Sequence, residues 1–320
     1  MNRYRVELNP PDIEPYRVGN TGIEYVTTFD SQVPGPHAVV NALTHGNELC
    51  GAIAVDQVFR SKLRPKRGRL TLAFANIAAY RRFDRANPVA SRYVDEDFNR
   101  LWDEATLSGN RHSSELARAR RLRSIYDSAD FLLDLHSMQY TSEALALIGL
   151  AAKTEAFMRR VGAPALMVRD RGHAAGPRLR DYRAFADPAA PQSAILVECG
   201  QHWEQRAATV AVETTWRFLA ASGVLDAAEV AAIVPPPTAP QRLITVTDVV
   251  TIETDDFGFT ADYRGLEAIA KAGTVIARDG GREIRTPYDD CVLIMPSRRL
   301  GPGQTAVRLG RYTDPPGESR

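Results

Sequence analysis

Up to residue 233 the chain alternates short apolar runs with helical patterns. The runs at 37–43 (HAVVNAL), 70–74 (LTLAF), 131–135 (FLLDL), 144–150 (ALALIGL) and 194–197 (AILV) are bounded by polar or turn residues. Runs this short and this uniformly apolar predict strands buried on both faces. Between them, 48–60, 113–128, 153–161 and 205–221 predict helices, with Leu116, Leu122 and Ile125 on one face of the second. Such alternation predicts an α/β fold, a largely parallel sheet flanked by helices. The pattern breaks at 234–240 (VPPPTAP), where four prolines exclude helix and favour an extended spacer. Beyond it, 243–253 alternates β-formers with polar residues, and GTVIA, CVLIM and TAVRL follow between Gly or Pro turns. That predicts a small all-β unit. The expected organisation is therefore an α/β domain over 1–233, a proline-rich linker over 234–240 and a small β-rich domain over 241–320.

Composition narrows the class. Of 320 residues, 44% are apolar and 25% charged, as in a soluble globular protein. Forty basic residues against 39 acidic leave a net charge of +1, so no global field draws in nucleic acid or an anionic membrane, and neither is expected as a partner. The basic clusters at 62–69 and 118–123 lack interleaved aromatic residues and are expected to be solvated faces. Cys50, Cys199 and Cys291 are odd in number, far apart and without metal-type spacing, which favours a reducing compartment over a disulfide framework. No stretch approaches 18 apolar residues and the opening MNRYRVELNPP has no apolar signal region, so a cytoplasmic location is expected. Oligomeric state is left open, a homo-oligomer included.

The candidate chemistry lies where a parallel sheet places its active site, past the carboxyl ends of strands. The first run enters residues 44–48 (THGNE), setting His45 and Glu48 three residues apart in a strand-to-helix turn; FLLDL enters His136 and AILV enters Glu198. Two imidazoles and a carboxylate form the His2Glu set that zinc accepts, one ion per chain, with a fourth position left for water. Bound zinc would lower that water's pKa to about 7, and Glu198 is the carboxylate free to take its proton. Each residue alone has a plainer alternative: a structural histidine, a Gly-Asn turn, a solvated glutamate at a strand edge. Their co-occurrence at three strand ends favours the site, as does Asp134, unusually polar for a buried strand.

Four motifs in order, THGNE, SRYVDEDFNRLW (91–102), DLHS (134–137) and VECG (197–200), resemble the aspartoacylase and succinylglutamate desuccinylase family of zinc-dependent deacylases, over about residues 35–225. The resemblance implies a zinc-carboxypeptidase-like fold and hydrolysis of the amide of a small N-acyl amino acid. It implies that His45, Glu48 and His136 bind zinc and that Glu198 is the general base and later the acid. Arg92 would polarise the scissile carbonyl and its oxyanion, while Asn99 and Arg100 would hold a substrate carboxylate, as guanidinium chemistry suits. Asp97 would orient a ligand or an arginine. The alternative for this segment is a solvated loop of mixed charge. The family's further substrate-binding arginine before the catalytic glutamate has no counterpart in 184–197; Arg183, Arg180 and Arg178 are nearest, so recognition of a dicarboxylic substrate is left open. His202 is expected to pack or face solvent, a proton-carrying role being the alternative, and Cys199 to be a small buried hydrophobe. Residues 284–309 resemble the barrel-sandwich domain of lipoyl and biotinyl carriers but lack a lysine between two methionines, which implies an accessory unit capping the site. A metallocarboxypeptidase and a catalytically silent metal- or ligand-binding protein are the competing functions.

Overall fold

The structure, a computed structural model, describes residues 4–172, 175–237, 239–297 and 301–313. Residues 1–3 and 173–174 of the predicted α/β domain, Thr238 of the spacer, and 298–300 and 314–320 of the tail lie outside the described residues. The strands up to the spacer are β1 (Val26–Asp30), β2 (His37–Ala42), β3 (Arg69–Phe74), β4 (Phe131–Met138), β5 (Leu145–Ile148), β6 (Leu166–Arg169) and β7 (Ser193–Gln201). The helices are α1 (Leu49–Ser61), α2 (Ile77–Tyr80), α3 (Glu104–Ser108), α4 (Ser114–Asp127), α5 (Ala152–Val161), α6 (Gln205–Ala221) and α7 (Ala227–Ala231). After the spacer, the elements among the described residues are all strands: β8 (Arg242–Thr251), β9 (Phe257–Phe259), β10 (Ala268–Ile269), β11 (Val275–Asp279), β12 (Arg282–Arg285), β13 (Cys291–Ile294) and β14 (Thr305–Tyr312).

Successive strand residues feed opposite faces, which explains why the runs are apolar throughout. Ala38, Val40 and Ala42 of β2 and Leu133 and Leu135 of β4 pack with the buried faces of α1, α5 and α6. Val39 and Leu132 point the other way, toward α4 and the segments around Phe98 and Tyr182. An eleven-stranded sheet runs β1-β3-β2-β4-β7-β5-β6-β8-β14-β13-β10. Its central pairs β3-β2, β2-β4 and β4-β7 are parallel, whereas β5 runs antiparallel to β7. This is the expected mixed, largely parallel sheet between helical layers.

The tail is all-β as predicted, and its strands carry the large sheet onward. β8 joins β6 in parallel, Leu166 opposite Arg242, and pairs antiparallel with β14 on its other side. Leu145, Leu166, Val168 and Leu196 share one apolar cluster with Ile244, Val292 and Ile294. β12, β11 and β9 form a separate small sheet over a core of Ile252, Ile276 and Val307. Among the described residues no helix is long and apolar enough to cross a membrane.

Candidate active site

The predicted metal ligands and general base come from three neighbouring strands of the sheet, β2, β4 and β7. β2 ends at Ala42, and residues 43–48 turn back into α1, so His45 and Glu48 stand at the junction. Gly46 is required there by close approach: a Cβ would lie 2.4 Å from backbone atoms of Ala79 and Tyr80 and 2.5 Å from the Ser91 oxygen. Its N–H donates to the Arg92 carbonyl at 3.1 Å, tying this turn to the segment that carries Arg92. His136 and Glu198 differ from the expectation in one respect: they lie inside strands, because β4 and β7 stay paired past the apolar runs, His136 opposite Glu198 and Met138 opposite Gln201. Backbone pairing, not side-chain polarity, sets where those strands stop.

Both imidazoles turn Nδ1 toward Glu48 and Nε2 toward another carboxylate. His45 Nδ1 lies 2.8 Å from Glu48 Oε1, and its Nε2 lies 2.9 Å from Asp97 Oδ1. His136 Nδ1 lies 3.0 Å from Glu48 Oε2, and its Nε2 lies 2.8 Å from Asp134 Oδ2. Asp134 is itself held by Asn41 Nδ2 and Thr44 Oγ1, each donating at 2.8 Å, and Asn41 accepts from Tyr126 at 2.7 Å. An outer carboxylate accepting the Nε2 proton fixes the tautomer that leaves the Nδ1 lone pair for a cation. The donor atoms of His45, Glu48 and His136 lie within 4.8 Å of one another, and all three residues are buried. This nitrogen and oxygen set fits a divalent ion of zinc's preference.

Charge in the cluster is uneven. Burial opposes ionisation of Glu48, yet His45 and His136 hold its carboxyl well below the usual range. Burial likewise works against a charged His136, but Asp134 and Glu48 raise it well above an ordinary histidine. Glu198 is different: burial pushes it up to about 8, and its Oε2 makes no hydrogen bond while the residue lines the same cavity. That cavity, of about 220 Å³, is also lined by Arg92, Asn99, Arg100, Arg178, His202 and Arg308.

Asp97 touches both groups named for it. It meets His45 and also Arg92 Nη2 at 3.0 Å, and Arg92 Nη1 lies 3.4 Å from Glu48. Asn99 directs Oδ1 to the Leu179 N–H at 2.8 Å, with Nδ2 3.5 Å from His136. Arg100 donates to the Asn99 carbonyl at 2.6 Å, and burial lowers it to about 10. Segment 91–102 is thus built into the site and is no solvated loop. Glu115, absent from the sequence reading, organises it: fully buried, it accepts the N–H groups of Val94, Asp95 and Glu96 at 2.7, 3.0 and 3.3 Å and the Asn76 amide at 2.9 Å. Its one sequence signal is a glutamate in the first turn of α4, a position usually ascribed to the helix dipole.

Of the three arginines left open, Arg178 reaches the cavity, Arg180 is buried behind it, and Arg183 is half-exposed and bound to Asp127 at 2.9 Å. His202 is buried, with Nδ1 2.9 Å from Ser137 Oγ. Burial raises the Cys199 thiol well above its ordinary value, consistent with an inert hydrophobe. Arg308 and Thr305 of β14 also line the cavity.

The family model described as Succinylglutamate desuccinylase/Aspartoacylase catalytic domain matches residues 34–221. A curated relative, the N-acyl-aromatic-L-amino acid amidohydrolase (carboxylate-forming) of Xenopus laevis, is 31% identical over 113 residues, which is 32% of this chain and 35% of that protein's length. Among solved structures, succinylglutamate desuccinylase from Vibrio cholerae matches at 18% identity and TM-score 0.64 over 91% of this chain and 88% of its own. The product-bound ectoine utilization protein from Ruegeria pomeroyi matches at 17% identity and TM-score 0.63, over 91% of this chain and 92% of its own. At such identities these structures show a shared fold.

Proposed function

The chain belongs to the succinylglutamate desuccinylase/aspartoacylase family, and on that premise we propose that it is a zinc-dependent hydrolase of the amide bond of small N-acyl amino acids. The observation that carries this reading is the pairing of two Nδ1-directed histidines on Glu48 with an unpartnered Glu198 oxygen in one cavity. We assign His45, Glu48 and His136 as ligands of one ion per chain. Zinc held there supplies a Lewis acid for water and for the scissile carbonyl.

The chain's own groups do the rest. Glu198 Oε2 takes a proton from water as the water oxygen bonds to the carbonyl carbon; the carbon–nitrogen bond then breaks and the proton passes to the leaving nitrogen. Water is consumed, and a carboxylate and an amine are released. Burial raises this carboxyl above an ordinary glutamate, which makes its ionised form a stronger proton acceptor. Arg92, beside Glu48, places positive charge where the oxyanion develops. Asn99 Nδ2 and Arg100 hold the amino acid's carboxylate. The three unpaired, buried cysteines support a reducing compartment, and we place the protein in the cytoplasm.

The test is release of free amine by the zinc-loaded protein from a panel of N-acyl amino acids, with peptides carrying a free C-terminus as the counter-panel. Cleavage of N-acyl amino acids is expected. Exclusive release of C-terminal residues from peptides would instead make it a carboxypeptidase, and turnover of neither, with zinc bound, would overturn the reading.

A further inference from the structure

Asn47 is 1% exposed and lines the cavity, and its Oδ1 has no hydrogen-bond partner among the described residues. The usual reasons for asparagine in a tight turn do not apply. Its φ is not in the left-handed region, so the turn does not call for Asn or Gly at this position. Its side chain caps nothing either, since the N-cap of α1 is Glu48 and no side-chain hydrogen bond closes that helix end. The backbone is nevertheless held firmly: the Asn47 carbonyl accepts from Trp203 Nε1 at 3.2 Å, and the Gly46 N–H is tied to Arg92. A buried acceptor left without a donor costs free energy that an apolar side chain of the same shape would avoid. A donor that arrives with the ligand accounts for it.

Two further neutral groups line the cavity beside it. Ser137 Oγ and His202 Nδ1, both from buried residues, are 2.9 Å apart, and Trp203, which holds the Asn47 carbonyl, directly follows His202. The Ser137 N–H donates to Glu48 Oε2 at 3.2 Å, whereas Arg92 Nη1 lies 3.4 Å from the other oxygen, Oε1. Asp97 links Arg92 at 3.0 Å to Arg100 at 4.0 Å. Glu48 thus stands between two walls, one of guanidinium groups and one of uncharged hydrogen-bonding groups. A substrate whose amino acid carboxylate is held at Arg100 crosses the ligand cluster and turns its acyl group to the uncharged wall.

We propose that Asn47 is a specificity-determining residue: with Ser137 and His202 it forms the acyl subsite and selects a short, uncharged acyl group that bears a hydroxyl. The hydroxyl donates to Asn47 Oδ1, and its oxygen accepts from the Ser137–His202 pair. The proposal rests on the deacylase reading. A site built to hydrogen-bond a substrate hydroxyl rejects the analogue without it, because the site's own polar group is then left unpaired.

N-glycoloyl-leucine and N-propanoyl-leucine make an isosteric pair in which a hydroxyl replaces a methyl group. The zinc-loaded full chain is expected to favour the glycoloyl compound by roughly 10-fold or more in kcat/KM. Asn47→Leu, similar in shape but without polar atoms, is expected to bring that ratio close to one, and Ser137→Ala to lower it in part. Calorimetry on zinc-loaded Glu198→Gln reads the same preference as binding: the glycoloyl compound should bind more tightly, and adding Asn47→Leu should abolish the difference. Should Asn47→Leu not fold, the wild-type ratio and Ser137→Ala decide the matter. Equal turnover and equal binding of the two compounds would overturn the proposal. So would a glycoloyl preference that survives Asn47→Leu, since it would belong to the ion and not to this wall. Tighter binding of the glycoloyl compound through Asn47, without cleavage of any N-acyl amino acid, would instead overturn the deacylase reading and leave the subsite standing.

Discussion

His136 carries its chemistry through its neighbours. Asp134 receives its Nε2 side and is itself gripped by Asn41 and Thr44, so the ring cannot swing away from Glu48 without breaking a buried network. Asp134→Asn is expected to fold but to lose roughly 10- to 100-fold in zinc affinity, read by competition with a chelator; unchanged affinity would contradict a tautomer-fixing role. Glu198→Gln should keep its metal and lose about 10² to 10⁴ in kcat. The same variant has a pH signature in metal-free protein. The folded-state value near 8 stands above the ordinary 4.5, so folding favours the protonated form. That contribution is complete below about 4.5 and is lost as pH rises through 8. Wild type should therefore lose stability relative to Glu198→Gln across this window, and parallel melting curves at pH 5 and pH 9 would refute the burial account. The clustering of His45, Glu48 and His136 was legible because these polar residues follow directly on apolar runs, the first two on 37–43 and the third on 131–135. Choosing among Arg178, Arg180 and Arg183 was not, since residues so close together on one loop differ only in the direction the fold gives them. Arg308 was hidden differently: in TAVRL it reads as the outward polar residue of an alternating strand.

Short irregular elements do most of the positioning. Glu115 collects three successive amide N–H groups and so fixes the path of the segment bearing Arg92, Asn99 and Arg100. Glu115→Ala strands those donors and is expected to cost about 1–3 kcal/mol in stability. It should also raise KM while zinc stays bound; faster hydrogen exchange at 94–96 would locate the change, and unaltered exchange there would argue against it. Gly46→Ala forces the turn off α2 and should lower Tm and kcat together. Long helices and central strands were legible from periodicity. β1 was missed because an edge strand is half exposed and lacks a continuous apolar run; β6, four residues long, is too short to show a period. The ends of β4 and β7 were placed early because hydrogen bonding to a neighbouring strand outlasts the apolar pattern.

At the scale of the molecule, alternation of strands and helices made the fold class readable, and the proline spacer made the all-β tail readable. The pairing of β6 with β8 was not, since it joins residues 166–169 to 242–245 and no local pattern encodes such a register. Its consequence for truncation is direct. Removing 234–320 unpairs the outer edge of β6 and uncovers Leu166, Val168 and Leu196, so soluble yield is expected to fall sharply. Soluble fragment should still bind zinc, because His45, Glu48 and His136 all precede the cut; metal analysis of that fragment checks the point, and a folded fragment without zinc would assign the tail a part in holding the ion.

The placement of Arg308 on β14 also has a meaning in time. Some 110 residues separate it from Glu198, an interval of roughly 5 to 20 s at ordinary rates of synthesis. The cavity's β2, β4 and β7 side leaves the ribosome first and its β14 side last. For that interval the cavity lacks the wall that carries Thr305 and Arg308, and it is complete only when β14 pairs with β8.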